Sequence, residues 1–471
     1  MTRAEHDATR RLLRGFLAGL DLPAGYADEV TLVGDGSLHG YVGYTDVLAA
    51  SLAAAALAVA ELMAASGGER PAVSVDRRLV TGWAGGLLQP VGARPRSASP
   101  FRIGGEYPTA DGRHLRITDA NQRLQDRMLA VLGTGRDLAA IRAEIARSDA
   151  DGLEDALLAG GGAAAASRSV SQWAAHPAGR AVAAEPLVAV ETRARGGAEA
   201  GWQPSAGRPL AGIRVLDCTR AVAGPMATRL LAGFGAEVLR IDPPGYEEWA
   251  DRDPTQLTLG KRCARLDLTS AEGRERFLEL LSEADVFVHG FRPGVFEELG
   301  LGERERAAVR PDLVEVTHNA YGWTGPWAGR RGFDSTVFTS SGLLVESMRR
   351  AGTRDVTAPG IVQHVIVDHC VGHVDAAAAV RGLTRRMLTG QGSRSRLSLA
   401  GNARFLADSA APQGPWIELP LSGPYEDRVV SGVWGPVRRL DSPVLVEGAP
   451  FFWERPGERY GSATASWSGR R

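Results

Sequence analysis

Gly212-Ile-Arg-Val-Leu-Asp217, Ala223-Gly-Pro225 and Glu237-Val-Leu-Arg-Ile-Asp242 are the segments whose reading decides the fold. The first and third are short apolar runs of strand length. Between them Met226, Leu230, Leu231 and Phe234 recur on one helical face, behind a turn that sets proline at the first helical position. The pattern then repeats. A strand over Arg265-Leu-Asp-Leu268 precedes a capping box, Thr269 with Glu272, that opens a helix through Leu281. Asp285-Val-Phe-Val-His289 follows as a strand, and after another helix comes Leu313-Val-Glu-Val-Thr317. Strands alternating with helices of this length predict an α/β region with a mostly parallel sheet and right-handed crossovers.

The first turn of this region, Thr219-Arg-Ala-Val-Ala-Gly-Pro225, lacks GxGxxG, and no GxxxxGK[ST] occurs, so neither a dinucleotide nor a P-loop site has motif support. Across the 471 residues the apolar share is 44% and the formal net charge is −1. That balance leaves no basic footprint for nucleic acid or an anionic membrane. Cys218, Cys263 and Cys370 are odd in number and free of CxxC spacing, which speaks against a disulfide framework or a metal site and for a reducing, cytoplasmic compartment. The segment from Met1 to Leu20 mixes charges with leucines at helical spacing and reads as a surface helix rather than a signal peptide. The Ala-rich run from Val47 to Ala60 is too short for a membrane span and reads as a buried helix.

One lysine, Lys261, stands among 54 basic side chains, in Thr258-Leu-Gly-Lys-Arg262. Its compact ammonium suits an end-on phosphate contact, and a solvated loop position is the plain alternative. Three linkers are expected, at Gly160 to Ala166, Gly196 to Pro209 and beyond Asp408. There is also an internal echo. Val371 to Ala403 and Val47 to Leu79 each read as an Ala-rich helix, a Gly-containing turn and a short strand, in a register that sets Tyr44 opposite Asp368.

A resemblance adds to this reading. The blocks from Arg208 to Pro225 and from Leu230 to Asp242, then Gly260-Lys-Arg262, Gly290-Phe-Arg-Pro-Gly294, Tyr321-Gly-Trp-Thr-Gly-Pro326, Arg331-Gly-Phe-Asp334 and Val367-Asp-His-Cys-Val-Gly372 stand in order. Together they resemble the class III CoA-transferases, the family of formyl-CoA and carnitine CoA-transferases. The resemblance covers Pro209 to Leu406. Ser99 to Gly133 and Trp173 to Val190 look like the family's smaller domain, and Gly435 to Gly461 like its closing segment.

The fold so implied is a Rossmann-like CoA-binding domain over 201–410 with a smaller α+β domain over 96–200. An N-terminal segment, 1–95, echoes the end of a large domain, and 411–471 closes the chain. In the family the smaller domain follows the catalytic half, whereas here it comes first. A homodimer is left open by that rearranged order.

By matching motif positions, Asp368 corresponds to the aspartate that attacks the acyl-CoA thioester; its local alternative is a helix N-cap. Val222, Ala223, Leu259, Gly260, Lys261, Gly290, Phe291, Arg292 and Arg331 are implied CoA contacts, with Lys261, Arg292 and Arg331 as a phosphate cradle, and Asp334 is implied to hold a water or polarise the acyl group. The resemblance implies acyl-CoA and a small carboxylic acid as substrates, with CoA itself a substrate and no metal or other cofactor. Racemases of the same fold place a histidine just before the residue matching Asp334. Phe333 stands there and cannot exchange a proton. A paralogue that binds CoA without turnover is the third reading.

Overall fold

The computed structural model describes residues 2–92, 101–196, 202–246, 255–362, 365–412, 415–423, 425–433 and 435–469. Residues 197–201 of the expected second linker, Ser99 and Pro100 of the small-domain stretch, and residues 363–364 lie outside them.

A seven-stranded sheet organises the C-terminal half. Its strands are β1 (Ala189–Arg195), β2 (Arg214–Cys218), β3 (Glu237–Asp242), β4 (Lys261–Arg265), β5 (Val286–His289), β6 (Val314–Asn319) and β7 (Gln391–Ser398). The spatial order is β4-β3-β2-β5-β6-β7-β1, parallel throughout except for β1, which runs antiparallel to β7. β2, β5 and β6 are buried along their whole length, as central strands of a sheet covered on both faces are, with the polar side chains among them, such as Asp217 and Glu315, paired inside. Order reverses between β2 and β5, so a crevice is expected outside the carboxyl ends of those strands.

Five helices place the site: α1 (Tyr44–Ala65), α2 (Ala223–Gly233), α3 (Asp334–Ser340), α4 (Leu343–Ala351) and α5 (Ile366–Thr389). α5 lies across the sheet and packs along α1, where Ser51 Oγ meets His373 Nδ1 at 2.9 Å. α1 is the one described helix long and apolar enough to cross a membrane, and it is buried inside the fold.

The echo has a structural counterpart. The register that sets Tyr44 opposite Asp368 also sets Ala65, the last residue of α1, opposite Thr389, the last of α5. Each helix is followed by a strand, Val73–Asp76 or β7, and each strand is flanked by one parallel and one antiparallel neighbour. For Val73–Asp76 these are Thr31–Val33 and Val444–Val446; for β7 they are β6 and β1.

Several expectations need correction. The run Gly160 to Ala166 is not a linker: Ala164–Ala166 is a buried strand pairing antiparallel with His114–Ile117, which pairs in turn with Gly105–Pro108. The segment beyond Asp408 holds a hairpin, Tyr425–Gly432 with Gly435–Leu440, as well as Val444–Val446. The strand expected at Arg265 starts earlier, so Lys261 is its first residue. The helix after it is capped by Ser270, whose Oγ accepts the Gly273 N–H at 3.0 Å, because the Thr269 hydroxyl is already engaged by Asp267 at 2.6 Å. Pro225 is the third residue of α2 rather than the first.

The N-terminal unit is held by one buried arginine. Arg77 Nη2 donates to Asp46 Oδ1 at 2.6 Å, Nε to Thr9 Oγ1 at 3.2 Å and Nη1 to Gly36 O at 3.2 Å. It thereby joins the first helix, Thr2–Gly19, to α1. Arg77→Ala leaves the Asp46 carboxylate buried and unpaired, and is expected to cost about 3–5 kcal/mol of stability in chemical unfolding.

Candidate active site

Asp368 lies in the first turn of α5, at the carboxyl end of the sheet, 7% exposed. It is not the cap of its helix. The residue at the cap is Val365, which has no capping side chain and carries φ +68°, a left-handed conformation that a β-branched residue adopts only under strain. The capping function comes from another helix. Asp334, first residue of α3, accepts the Asp368 N–H on Oδ2 at 3.1 Å, and the backbone N–H groups of Val365 and Val367 also lower its pKa. Two buried carboxyls therefore share one helix N-terminus.

Their electrostatics follow from burial. Desolvation raises Asp334 to about 6 against the favourable backbone donors, and desolvation together with the Asp334 charge holds Asp368 well above the usual carboxylate range. The helix dipole favours an anion there, but only by about a kcal/mol, and the low-dielectric surroundings outweigh it. The pair thus binds a proton in common at neutral pH. His369, the tempting neighbour, faces elsewhere. Its ring meets His373 edge-on at 6.2 Å, and burial, Arg229 and His373 drive its pKa well down, leaving it neutral.

The remaining sequence-derived positions divide in two. Val222 and Ala223 (after β2), Gly290, Phe291 and Arg292 (after β5), and Arg331 and Asp334 (after β6) lie at the same carboxyl end as Asp368. Val222 packs with Met226, Leu257 and Val365, so the first turn touches the segment leading to the nucleophile candidate. Arg331 is half-buried and donates to the carbonyls of Gly161 and Gly162 in the small domain. Burial lowers its pKa, and the charges of Arg292 and Arg127 lower it further, which brings three guanidiniums to one place. Such a cluster suits a polyanionic ligand. Arg127 went unnoticed in the sequence because it lies on a small-domain helix with no motif around it. Arg220 could have been found, since it sits within the first turn, next to Val222 and Ala223. Its guanidinium lies 5.0 Å over the Tyr246 ring and 5.3 Å over Phe291, and pairs with Asp242 at 3.0 Å.

Leu259, Gly260 and Lys261 are placed differently. They enter β4 at its amino end, where Lys261 stands beside Val238, the second residue of β3. Leu259 is fully buried. Gly260 has φ +80°, and a Cβ there would lie 2.6 Å from Trp453 Cδ1. The Lys261 ammonium is wholly buried, 3.0 Å from Asp217 Oδ2 and 2.9 Å from Pro225 O. Asp217 also accepts from Thr228 Oγ1 at 2.6 Å and from the Thr219 N–H at 2.8 Å. This corrects the expectation of an end-on phosphate contact: the charge locks the turn between β2 and α2 from beneath. Among the described residues no group of three His, Cys, Asp or Glu side chains is arranged to hold a metal ion.

An acid pair at a strained helix start thus shares the carboxyl end of the sheet with the turns and guanidiniums that follow three of its strands. Residues 210–420 match CoA-transferase family III. The chain is 34% identical over 197 residues to "Probable fatty acyl-CoA transferase Rv3272" of Mycobacterium tuberculosis, covering 39% of this chain and 48% of that one. It is 31% identical over 232 residues to succinyl-CoA–D-citramalate CoA-transferase of Chloroflexus aurantiacus, covering 47% and 55%. A crystal structure of Rv3272 aligns with a TM-score of 0.38 at 31% identity, over 43% of this chain and 58% of that one. The chain spans about half the length of the curated relatives it matches.

Two outcomes follow. Lys261→Ala is expected to lower stability by about 3–5 kcal/mol in urea unfolding by stranding the Asp217 charge. Asp334→Asn keeps an acceptor for the Asp368 N–H but removes the like charge. Carboxyls whose pKa is raised on folding bind more protons folded than unfolded, so the pair costs stability as pH rises through about 6. The variant's stability relative to the parent should therefore be higher at pH 8 than at pH 5, and any reaction needing ionised Asp368 should show its acid limb at lower pH in the variant.

Proposed function

We propose that the chain moves CoA between an acyl-CoA thioester and a carboxylic acid, with Asp368 as the covalent carrier. The observation that carries this reading is the buried Asp368–Asp334 pair at the start of α5, beside turns that the resemblance assigns to CoA. The Asp368 carboxylate attacks the acyl carbonyl, the C–S bond breaks, and CoA thiolate leaves behind an acyl-aspartyl anhydride. The thiolate then attacks the aspartyl carbonyl and releases the donor acid as its carboxylate. An incoming carboxylate repeats the exchange in reverse and leaves with CoA. Each step trades one activated acyl bond for another, so the sequence is close to energy-neutral and needs no added reductant or oxidant.

In this reading 201–410 is a Rossmann-like CoA-binding domain, supported by the strand order with β2 and β5 at its centre, and 96–200 is the smaller domain. The small domain meets the site through Thr118 Oγ1, 2.8 Å from Ser335 Oγ, and through Arg331. Arg292, Arg331 and Arg127 would take the CoA phosphates, and Val222, Ala223, Gly290 and Phe291 its length. Leu259, Gly260 and Lys261 would act by shaping the first turn rather than by touching the ligand. CoA is a substrate here, and no resident cofactor is invoked. Three buried free thiols suit a cytoplasmic, reducing setting. The relatives' names span fatty acyl, acetyl and succinyl donors, so they leave the acids open.

The racemase alternative is disfavoured by Phe333. Its ring packs against the core of the small domain, and the position just before Asp334 therefore offers no group able to exchange a proton. The transfer reading is tested by trapping. Enzyme mixed with acyl-CoA and then hydroxylamine should show a mass change confined to the peptide containing Asp368. Asp368→Asn should abolish both the adduct and transfer while CoA binding by calorimetry stays within about twofold. Deuterium wash-in at the substrate α-carbon without an adduct would instead favour isomerisation, and CoA binding with neither would leave a non-catalytic paralogue.

A further inference from the structure

Tyr44 is the residue of the N-terminal copy that stands where Asp368 stands in the C-terminal copy. It opens α1, and its side chain is 1% exposed. A methyl group on Gly40 would lie 2.3 Å from Tyr44 Cε2 and 3.5 Å from Gly360 O, so the ring abuts the segment that leads into α5. The Ser347 hydroxyl of α4 faces the phenol, and burial first, with the Asp334 carboxylate adding to it, pushes the phenol's pKa up. The group is therefore a neutral donor at every physiological pH.

Tyr44 Oη and Ser347 Oγ face each other, and neither they nor Asp334 Oδ1 completes a hydrogen bond of ordinary geometry, although all three are buried. Buried polar atoms are normally paired, and an unpaired one costs about 1–3 kcal/mol. Three of them around the carboxylate that caps α5 leave hydrogen-bonding capacity that a ligand group can satisfy. Its chemistry is specific. An occupant must accept from the phenol and donate to Asp334 Oδ1, which a hydroxyl does with one oxygen. A second carboxylate would accept from the phenol but face Asp334 as a like charge. The cation whose field reaches Asp334, Arg116, is already paired with Glu106 at 2.7 Å.

Resting on the CoA-transfer reading, we propose that Tyr44, with Ser347, is the specificity-determining wall of the acyl pocket, and that the preferred acids are short monocarboxylic acids bearing a hydroxyl rather than dicarboxylic acids. The catalytic half thus takes a recognition group from the N-terminal copy, at the position where that copy has no carboxylate of its own.

The test compares butyrate with 2- and 3-hydroxybutyrate as acceptors, in the parent chain and in Tyr44→Phe. The parent should prefer one of the hydroxy acids to butyrate. In the variant, kcat/KM for that acid should fall about tenfold or more while butyrate stays within about twofold, and Ser347→Ala should reproduce part of the loss. Phenylalanine keeps the buried ring and removes an unpartnered hydroxyl, so the thermal midpoint should hold or rise. Equal losses for all three acids, or no loss for any, overturn the proposal. A parent chain that neither transfers CoA nor labels Asp368 overturns the transfer reading alone. Calorimetric titration of the CoA-loaded chain with the same acids then decides on Tyr44: a hydroxy-acid preference abolished by Tyr44→Phe upholds the pocket, and no preference overturns it.

Discussion

The close approach of α5 to its neighbours is the constraint on which the site depends. At Gly372 a Cβ would lie 2.5 Å from the Ala223 carbonyl, and at Gly382 it would lie 2.4 Å from Val314 Cγ1. Glycine at these two points lets the helix lie directly on α2 and on β6, which fixes both its tilt and its axial position. Asp368 is one turn before Gly372. Its carboxyl is therefore held beside the first turn after β2 by backbone contact, and Asp334 and strained Val365 complete a geometry already set by packing.

Buried charge serves the same end. Lys261 with Asp217, and Arg77 with Asp46, are ion pairs of almost no exposure, each joining segments distant in sequence. A third group centres on Glu315, which receives Arg306 at 2.8 Å and Arg193 at 2.7 Å under β6. Such pairs gain little net stability against apolar substitutes, since desolvation cancels most of the attraction. Their effect is on register: a strand slipped by one residue would strand a charge in the core. Arg229 shows the limit of this logic. It has no carboxylate, and burial pushes its pKa down to about 9, while the rings of Trp83 and Trp453 flank it at 5.3 and 5.8 Å. Aromatic faces replace the counter-ion there.

What could be read in advance divides along physical lines. β2, β3, β5 and β6 were legible because each is a short segment carrying Val, Leu, Ile or Phe between turn signals, and α5 because an Ala-rich run of helical length follows Asp368. Lys261 was singled out correctly and interpreted wrongly: rarity marks a constrained position but does not say whether the constraint is a ligand or a buried partner. The run Gly160 to Ala166 was misread because glycine and alanine signal flexibility when exposed and tight packing when buried, and burial is a tertiary property. Arg127 and the Tyr44–Ser347 contact were invisible for a related reason. They matter through proximity to residues far away in the chain, and no local pattern encodes that.

The echo between the two halves comes with an asymmetry. The strand after the small domain, β1, pairs with β7 of the C-terminal copy, and the strand after the hairpin, Val444–Val446, pairs with Val73–Asp76 of the N-terminal copy. Each copy is thus closed by a strand reached through the other. Only the C-terminal copy, however, has the long run of parallel strands whose carboxyl ends could hold a ligand, since the N-terminal one keeps a single parallel neighbour, Thr31–Val33. A carboxylate at the start of α1 would have no ligand crevice of its own and would sit near Asp334, adding a third acid to a site where two already share a proton. Like charges at such range in a buried setting raise each other's pKa and would hold Asp368 protonated still higher in pH. A neutral phenol avoids that penalty, fills the volume and still presents a donor, which is why Tyr44 is compatible with the buried acid pair where aspartate would not be.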